Sequence, residues 1–360
     1  MSGIRPVRRD DVPALVAMFR RIFPESAAPE ALAPYIERIL FDGPFVDEDM
    51  PSWAYENKDG RVDGFLGVVS HRLKNKDREL RVAVSSYFMV DPESRSSLAG
   101  VQLLRKLFQG PQDLTIAEGN AASRKLWDRL GGMTSILYSL HWASPLRPSR
   151  YVLDQAGTSP ALAPVRWLAK LPDWFARRSR RSPFRRAAPA IQVEELTPAT
   201  FVEAVELIGA EYDIWPCYDE ASAAWFFEHL ARKRMLGSLR KTLVRDEDGG
   251  ILGWAIWFAA PGDTCQVVSL ASRAGGERVV LDHLAHAAAE CGGVVLAGRL
   301  EPRFMTELGA HVALISRTHT WTMLHASDPE LLRTIQDGRA LMSRLEGEWW
   351  VPYRENAAPE

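Results

Sequence analysis

The stretch that most limits what this chain can become is Val82 to Gly100, VAVSSYFMVDPESRSSLAG. It opens as an apolar run rich in Val, Phe and Tyr, the composition of a mostly buried strand. The strand ends at Asp91-Pro92, because proline has no N–H for a ladder and biases its predecessor away from helix. A loop of small and polar residues, Glu93 to Gly100, leads into a helical pattern with Val101, Leu103, Leu104, Leu107 and Phe108 apolar. A strand, a short loop and a helix start form an anion site. The first N–H groups of the helix lack intrahelical partners, and the helix dipole adds positive charge there.

Val90-Asp91-Pro92 followed by Arg95-Ser96-Ser97-Leu98-Ala99-Gly100 resembles the V-x-P…(R/Q)-x-x-G-x-(G/A) signature of the GNAT acyltransferases, the Gcn5-related N-acetyltransferase superfamily. A second segment, Asn120-Ala121-Ala122-Ser123-Arg124-Lys125-Leu126-Trp127-Asp128-Arg129-Leu130-Gly131-Gly132, resembles the family's N-x-x-(A/S)-x-x-(L/F)-Y-x-x-x-G-F element. It follows a short strand, Leu114 to Glu118, in the order the fold requires, and two spaced elements are more specific than either alone. The resemblance implies an α/β (α+β) fold, a mixed, twisted sheet flanked by helices. It also implies acetyl-CoA or a longer acyl-CoA as co-substrate. The cofactor would lie along Phe88, Met89 and Val90, with its pyrophosphate on Arg95, Ser96, Ser97, Leu98, Ala99 and Gly100. Its pantetheine arm would meet Asn120, with Ser123 and Trp127 nearby. Leu98 departs from the pattern: it stands where the family has glycine, which lets the backbone approach phosphate closely.

At 360 residues, 46% hydrophobic and 25% charged, the composition is that of a globular protein of two ordinary domains. A formal net charge of −2 makes no case for a nucleic-acid partner. Cys217, Cys265 and Cys291 are scattered and suggest neither a disulfide framework nor a metal site. The first residues, MSGIRPVRRDDVPAL, lack the apolar core of a signal peptide, and no apolar run is long enough to span a membrane. A reducing cytoplasm is the expected compartment.

In order, residues 1–143 read as a first GNAT domain carrying the acyl-CoA motifs, with Ser135 to Trp142 as its closing strand. Residues 144–190 hold many prolines and arginines around Val165 to Leu171 and Trp174-Phe175. They read either as an interdomain linker or as a basic amphipathic anchor making peripheral contact with anionic lipid. From Ile191 the pattern restarts. Ile191 answers Ile4, Leu252-Gly253 answers Leu66-Gly67, and Glu307-Leu308-Gly309 answers Arg129-Leu130-Gly131. A period this long is a domain duplication. Residues 191–326 therefore read as a second, degenerate GNAT-like domain, followed by a C-terminal helix and tail at 327–360. The second copy offers Arg273, Gly275 and Gly276 as a weak phosphate loop and has no counterpart of Asn120. Trp215, Trp225, Trp254, Trp257 and Trp321 either present aromatic faces to a sugar or cation, or pack the interface between halves.

Transfer to an amine needs a base, an oxyanion donor and a tolerable leaving group. The resemblance implies a backbone N–H near Phe88 to Val90 as oxyanion donor. Relatives often supply a tyrosine acid where Trp127 stands; an indole is no practical acid, but a thiol of pKa near 8.5 leaves tolerably as thiolate. Ser86, on the parity of Phe88 and Val90, and Glu118, ending the neighbouring strand, are the catalytic candidates. His71 is a weaker one, placed by sequence in an exposed turn. His283 and His286 share a helix face without further metal ligands, and Trp349-Trp350 form no recognised site. The expected function is acyl transfer from CoA to an amine of a small molecule or sugar. A non-catalytic acyl-CoA-binding or scaffold protein stays open, as does an acyl or aminoacyl transferase acting on a cell-envelope precursor.

Overall fold

The computed structural model describes residues 3–24, 28–92, 98–155, 173, 182, 184–186, 188–317 and 320–355. The first half runs β1 (Gly3–Pro6), α1 (Val12–Ile22), α2 (Pro29–Leu40), β2 (Trp53–Glu56), β3 (Val62–Asn75), β4 (Arg78–Val90), α3 (Ala99–Phe108), β5 (Leu114–Gly119), α4 (Ala121–Arg129), β6 (Met133–Ser135) and β7 (Leu140–Pro145). A short helix, α5 (Pro148–Gln155), opens the linker. The second half runs β8 (Gln192–Glu195), α6 (Pro198–Gly209), β9 (Ile214–Pro216), α7 (Glu220–Ala231), β10 (Ser238–Arg245), β11 (Ile251–Ala259), β12 (Thr264–Ser272), α8 (Glu277–Glu290), β13 (Val295–Arg299), α9 (Met305–Ala310), β14 (Leu314–Arg317), β15 (Trp321–His325) and α10 (Pro329–Gln336).

The helices follow their sequence signals. Thr197 and Asp219 accept from backbone N–H groups at the starts of α6 and α7, and Pro198 opens α6. Leu15, Val16 and Met18 bury one side of α1.

Two sheets result, and their strand orders match position by position. One runs β1-β2-β3-β4-β5-β15-β6, with β9 added on β3; the other runs β8-β10-β11-β12-β13-β7-β14. In each, one pair is parallel, β4 with β5 and β12 with β13. The match holds only because the halves exchange a strand. β7 lies between β13 and β14 of the second sheet, and β15 lies between β5 and β6 of the first. The expected closing strand from Ser135 to Trp142 is thus corrected. A 3₁₀ turn at Leu137–Ser139 divides it, and the part beyond the turn belongs to the other sheet.

The largest core cluster crosses from one half to the other, joining Phe45, Val69 and Val82 with Phe201, Phe226 and Trp350. Trp215, Trp225 and Trp254 pack there, whereas Trp257 and Trp321 belong to separate core clusters; Trp225 stacks on His229 at 4.8 Å and meets Phe45 at 5.5 Å, and Trp254 meets Phe201 edge-on. After α10 the chain forms a strap with two 3₁₀ turns, Arg344–Glu346 and Glu348–Trp350, which runs between the halves. Most of the basic stretch at 144–190, including Val165 to Leu171 and Trp174-Phe175, lies outside the described residues. Among the described residues no helix is long and apolar enough to cross a membrane.

Candidate active site

The parallel ladder between β4 and β5 runs from Val82–Leu114 to Ser85–Ala117 and stops, although both strands continue. The cause is local. Tyr87 has φ 49°, and the pairing of β3 with β4 slips between Phe65 and Gly67. A bulge bends a strand and ends its pairing. The two strands therefore part, leaving edge N–H groups turned toward the gap. Both following helices, α3 and α4, begin at this end of the parallel pair, so two positive helix ends lie beside the gap.

The sequence-predicted residues fall around this opening in different ways. Arg95, Ser96 and Ser97 lie outside the described residues. Leu98, 65% exposed, leads into α3, with Ala99 buried behind it. A Cβ on Gly100 would stand 3.3 Å from the Phe88 ring and 3.4 Å from Val90 Cγ2, so glycine lets the helix start press onto the end of β4. Phe88 and Val90 pack on the α3 side of the sheet, and Met89 is buried on the other side. Asn120 Oδ1 accepts from the N–H groups of Ala122 and Ser123 at 2.9 and 3.0 Å, an N-cap that fixes the start of α4.

Three expectations need correction. Trp127 is 1% exposed, and its indole N–H donates to the Leu324 carbonyl at 2.9 Å. Its only donor thus ties α4 to the exchanged strand β15 and does not face a leaving thiolate. Ser86 is fully buried and leans over Gly67, where a Cβ would stand 2.7 Å from its hydroxyl oxygen. It points across β3 rather than into the gap. His71 is not in an exposed turn. It is 4% exposed within β3, stacked on Phe45 at 4.9 Å, and burial pushes its pKa down to about 3.

What fills the gap comes from the far end of the chain. Glu348 Oε1 accepts from the Tyr87 N–H at 2.9 Å, and the backbone of Glu118 on the other strand also favours the ionised form of this carboxylate. One carboxylate therefore bridges the two parted strands. Burial raises its pKa to about 8, with the Tyr87 N–H opposing. Glu118 is raised by burial too, against the pull of Arg299, whose Nη1 is 3.3 Å away. Arg299 also donates to the carbonyls of Met342 and Ser343, and the hydroxyls of Tyr35 and Tyr87 both donate to the Val351 carbonyl. Lys233 Nζ donates to the Pro352 carbonyl at 2.7 Å. The strap is therefore pinned from both halves. The sequence reading missed it. Its signal was a Trp-Trp pair among glutamates near the chain end, too apolar for a solvated tail.

The second half repeats the arrangement with different occupants. Its parallel ladder stops at Gln266–Ala297, and Arg344 of the same strap donates to the Val267 carbonyl at 2.8 Å. In the loop before α8, the Ala274 N–H donates to the Glu211 carboxylate at 2.8 Å, and Arg303 donates to the same oxygen at 2.6 Å. A carboxylate of the chain thus sits where Arg273 and its glycines were expected to hold phosphate.

No protein-family model and no curated protein matches the sequence. Solved structures do. A conserved protein of unknown function from Enterococcus faecalis V583, described as a probable N-acyltransferase, aligns over 91% of this chain and 73% of its own, with TM-score 0.60 and 9% identity. A GCN5-related N-acetyltransferase from Kribbella flavida aligns over 91% and 72%, with TM-score 0.58 and 13% identity. The N-myristoyltransferase of Saccharomyces cerevisiae, solved with bound myristoyl-CoA, aligns over 90% and 77%, with TM-score 0.52 and 10% identity. At such identities the likeness is one of fold. This chain has the fold of the GCN5-related N-acetyltransferases, built twice, with the last strand of each copy exchanged.

Proposed function

We propose that the chain is an acyl-CoA-dependent acyltransferase that carries an acetyl or longer acyl group to an amine. Its reaction centre is the gap between β4 and β5. The observation that carries this reading is the gap itself: parted parallel strands, two helix N-termini beside them, and an ionisable carboxylate seated on the bulge N–H. The fold is shared with proteins named as N-acetyltransferases and with one solved with bound myristoyl-CoA.

The residues then take these roles. Arg95, Ser96, Ser97 and the start of α3 hold the pyrophosphate, and Asn120 and Ser123 border the pantetheine arm. An N–H among Phe88 to Val90 receives the thioester oxygen as it gains charge. Glu348 is the base, in place of Ser86, and a carboxyl tuned toward neutrality suits that task. Glu348 removes the ammonium proton and passes it to solvent. The amine lone pair forms the C–N bond, and collapse of the tetrahedral intermediate breaks C–S. The second nitrogen proton leaves as the amide forms and goes to the CoA thiolate. Trp127 contributes no acid.

The test is calorimetric titration of acetyl-CoA, and of a longer acyl-CoA, into the intact protein and an Arg95→Ala, Asn120→Ala double variant. Binding by the intact protein that the variant loses supports the reading. If neither donor binds the intact protein, the reading fails.

A further inference from the structure

Between its pairing with β2 and its pairing with β9 the edge of β3 meets no described strand, and a cavity of about 810 Å³ opens there on the seam of the two halves. The 44–49 loop and the 217–222 segment close its sides, through Ser70 N–H to the Phe45 carbonyl and Cys217 N–H to the Arg72 carbonyl. Asp47, Glu48, Asp49, Glu79 and Asp219 line it against Arg72 and Arg81. Five carboxylates against two guanidinium groups leave a surplus of three negative charges, more than the −2 of the whole chain.

A second, independent feature points to a cationic occupant. His71 lines the same cavity, and its Nε2 has no hydrogen-bond partner. Held neutral by burial, the ring keeps one of its two nitrogens as an acceptor, and an acceptor suits an ammonium or guanidinium N–H. Phe45 and Tyr218 add aromatic side chains to the lining. The strap backs this wall: Trp350 lies edge-on to His71, and Glu346 accepts from the Tyr218 hydroxyl. Glu348 sits between those two anchors, two residues from each, and two residues of extended chain reach about 7 Å.

We propose that this cavity is an acceptor subsite that holds the distal ammonium or guanidinium of an oligocationic amine, whose other amino group reaches Glu348. The acceptor role rests on the acyl-transfer reading; the binding site stands on the cavity itself.

Spermidine titrated into the full chain without any CoA tests it. Saturable one-site binding is expected, with no response to a neutral triol of similar length. Glu48→Gln with Asp49→Asn, both exposed and so compatible with folding, should weaken binding about tenfold. His71→Phe, which keeps a ring in the stack, should weaken it separately, with thermal midpoints confirming that each variant folds. Absence of saturable binding, or binding that both variants leave unchanged, overturns the subsite. If spermidine binds as expected but no acyl-CoA does, the subsite stands and the acyl-transfer reading falls.

Discussion

Glu348 concentrates the residue-scale consequences. As the base, its replacement by Gln should lower kcat by about 10²–10⁴-fold while acyl-CoA affinity holds, as steady-state rates and titration together would reveal. It also shapes stability. Glu348 and Glu301 both have folded pKa values raised to about 8 by burial, above the ordinary 4.5. Their contribution is full below that ordinary value and is lost as pH climbs toward 8. His71, His141 and His229 have depressed values, and their effect on stability is complete once pH exceeds about 6.5. Between pH 6.5 and 8 each of these carboxyls favours the fold less as pH rises, by at most about 1.4 kcal/mol per pH unit; Glu118, also raised by burial, acts the same way, and Lys233, held well below its ordinary 10.5 by burial, acts the opposite way. Denaturant melts of the protein and of Glu348→Gln across that window should differ by the share of Glu348, the variant losing less stability as pH rises.

Between elements, the link from α4 to β15 separates two roles for Trp127. Trp127→Phe keeps the ring but loses the donor to the Leu324 carbonyl, at a cost of about 1–3 kcal/mol in chemical denaturation. If the residue only ties elements together, acyl-CoA affinity should stay unchanged. The elements themselves were largely legible in the sequence. The strand before Asp91-Pro92 and the helical pattern after Gly100 both follow from local propensity, whereas the capping role of Asn120 came only with the structure. The parting of β4 from β5 was not legible, because it depends on the positive φ of Tyr87 and a slip against β3, neither of which has a residue-type signal. Trp127 fits its motif's spacing and Ser86 shares the parity of Phe88 and Val90, yet tertiary packing turns both away from the gap. Glu348 was hidden by its sequence distance: 261 residues separate it from the Tyr87 amide it accepts from.

For the whole molecule, the duplication could be read from sequence, while the exchange could not, since a seventh strand reads alike whichever sheet receives it. Each half lacks a strand that only the other supplies. Residues 1–190 and 191–360 expressed apart should each be insoluble or molten, with exposed edges at β5 and β13. Expressed together they should form a soluble complex, as gel filtration and circular dichroism would establish. The order of synthesis gives the exchange a further meaning. β15 ends at His325, so the first sheet cannot close until the chain has been made through that residue. A nascent chain would carry an unfinished sheet while the whole second copy is synthesised, and the long-range pairing predicts slow folding and dependence on protection of that open edge.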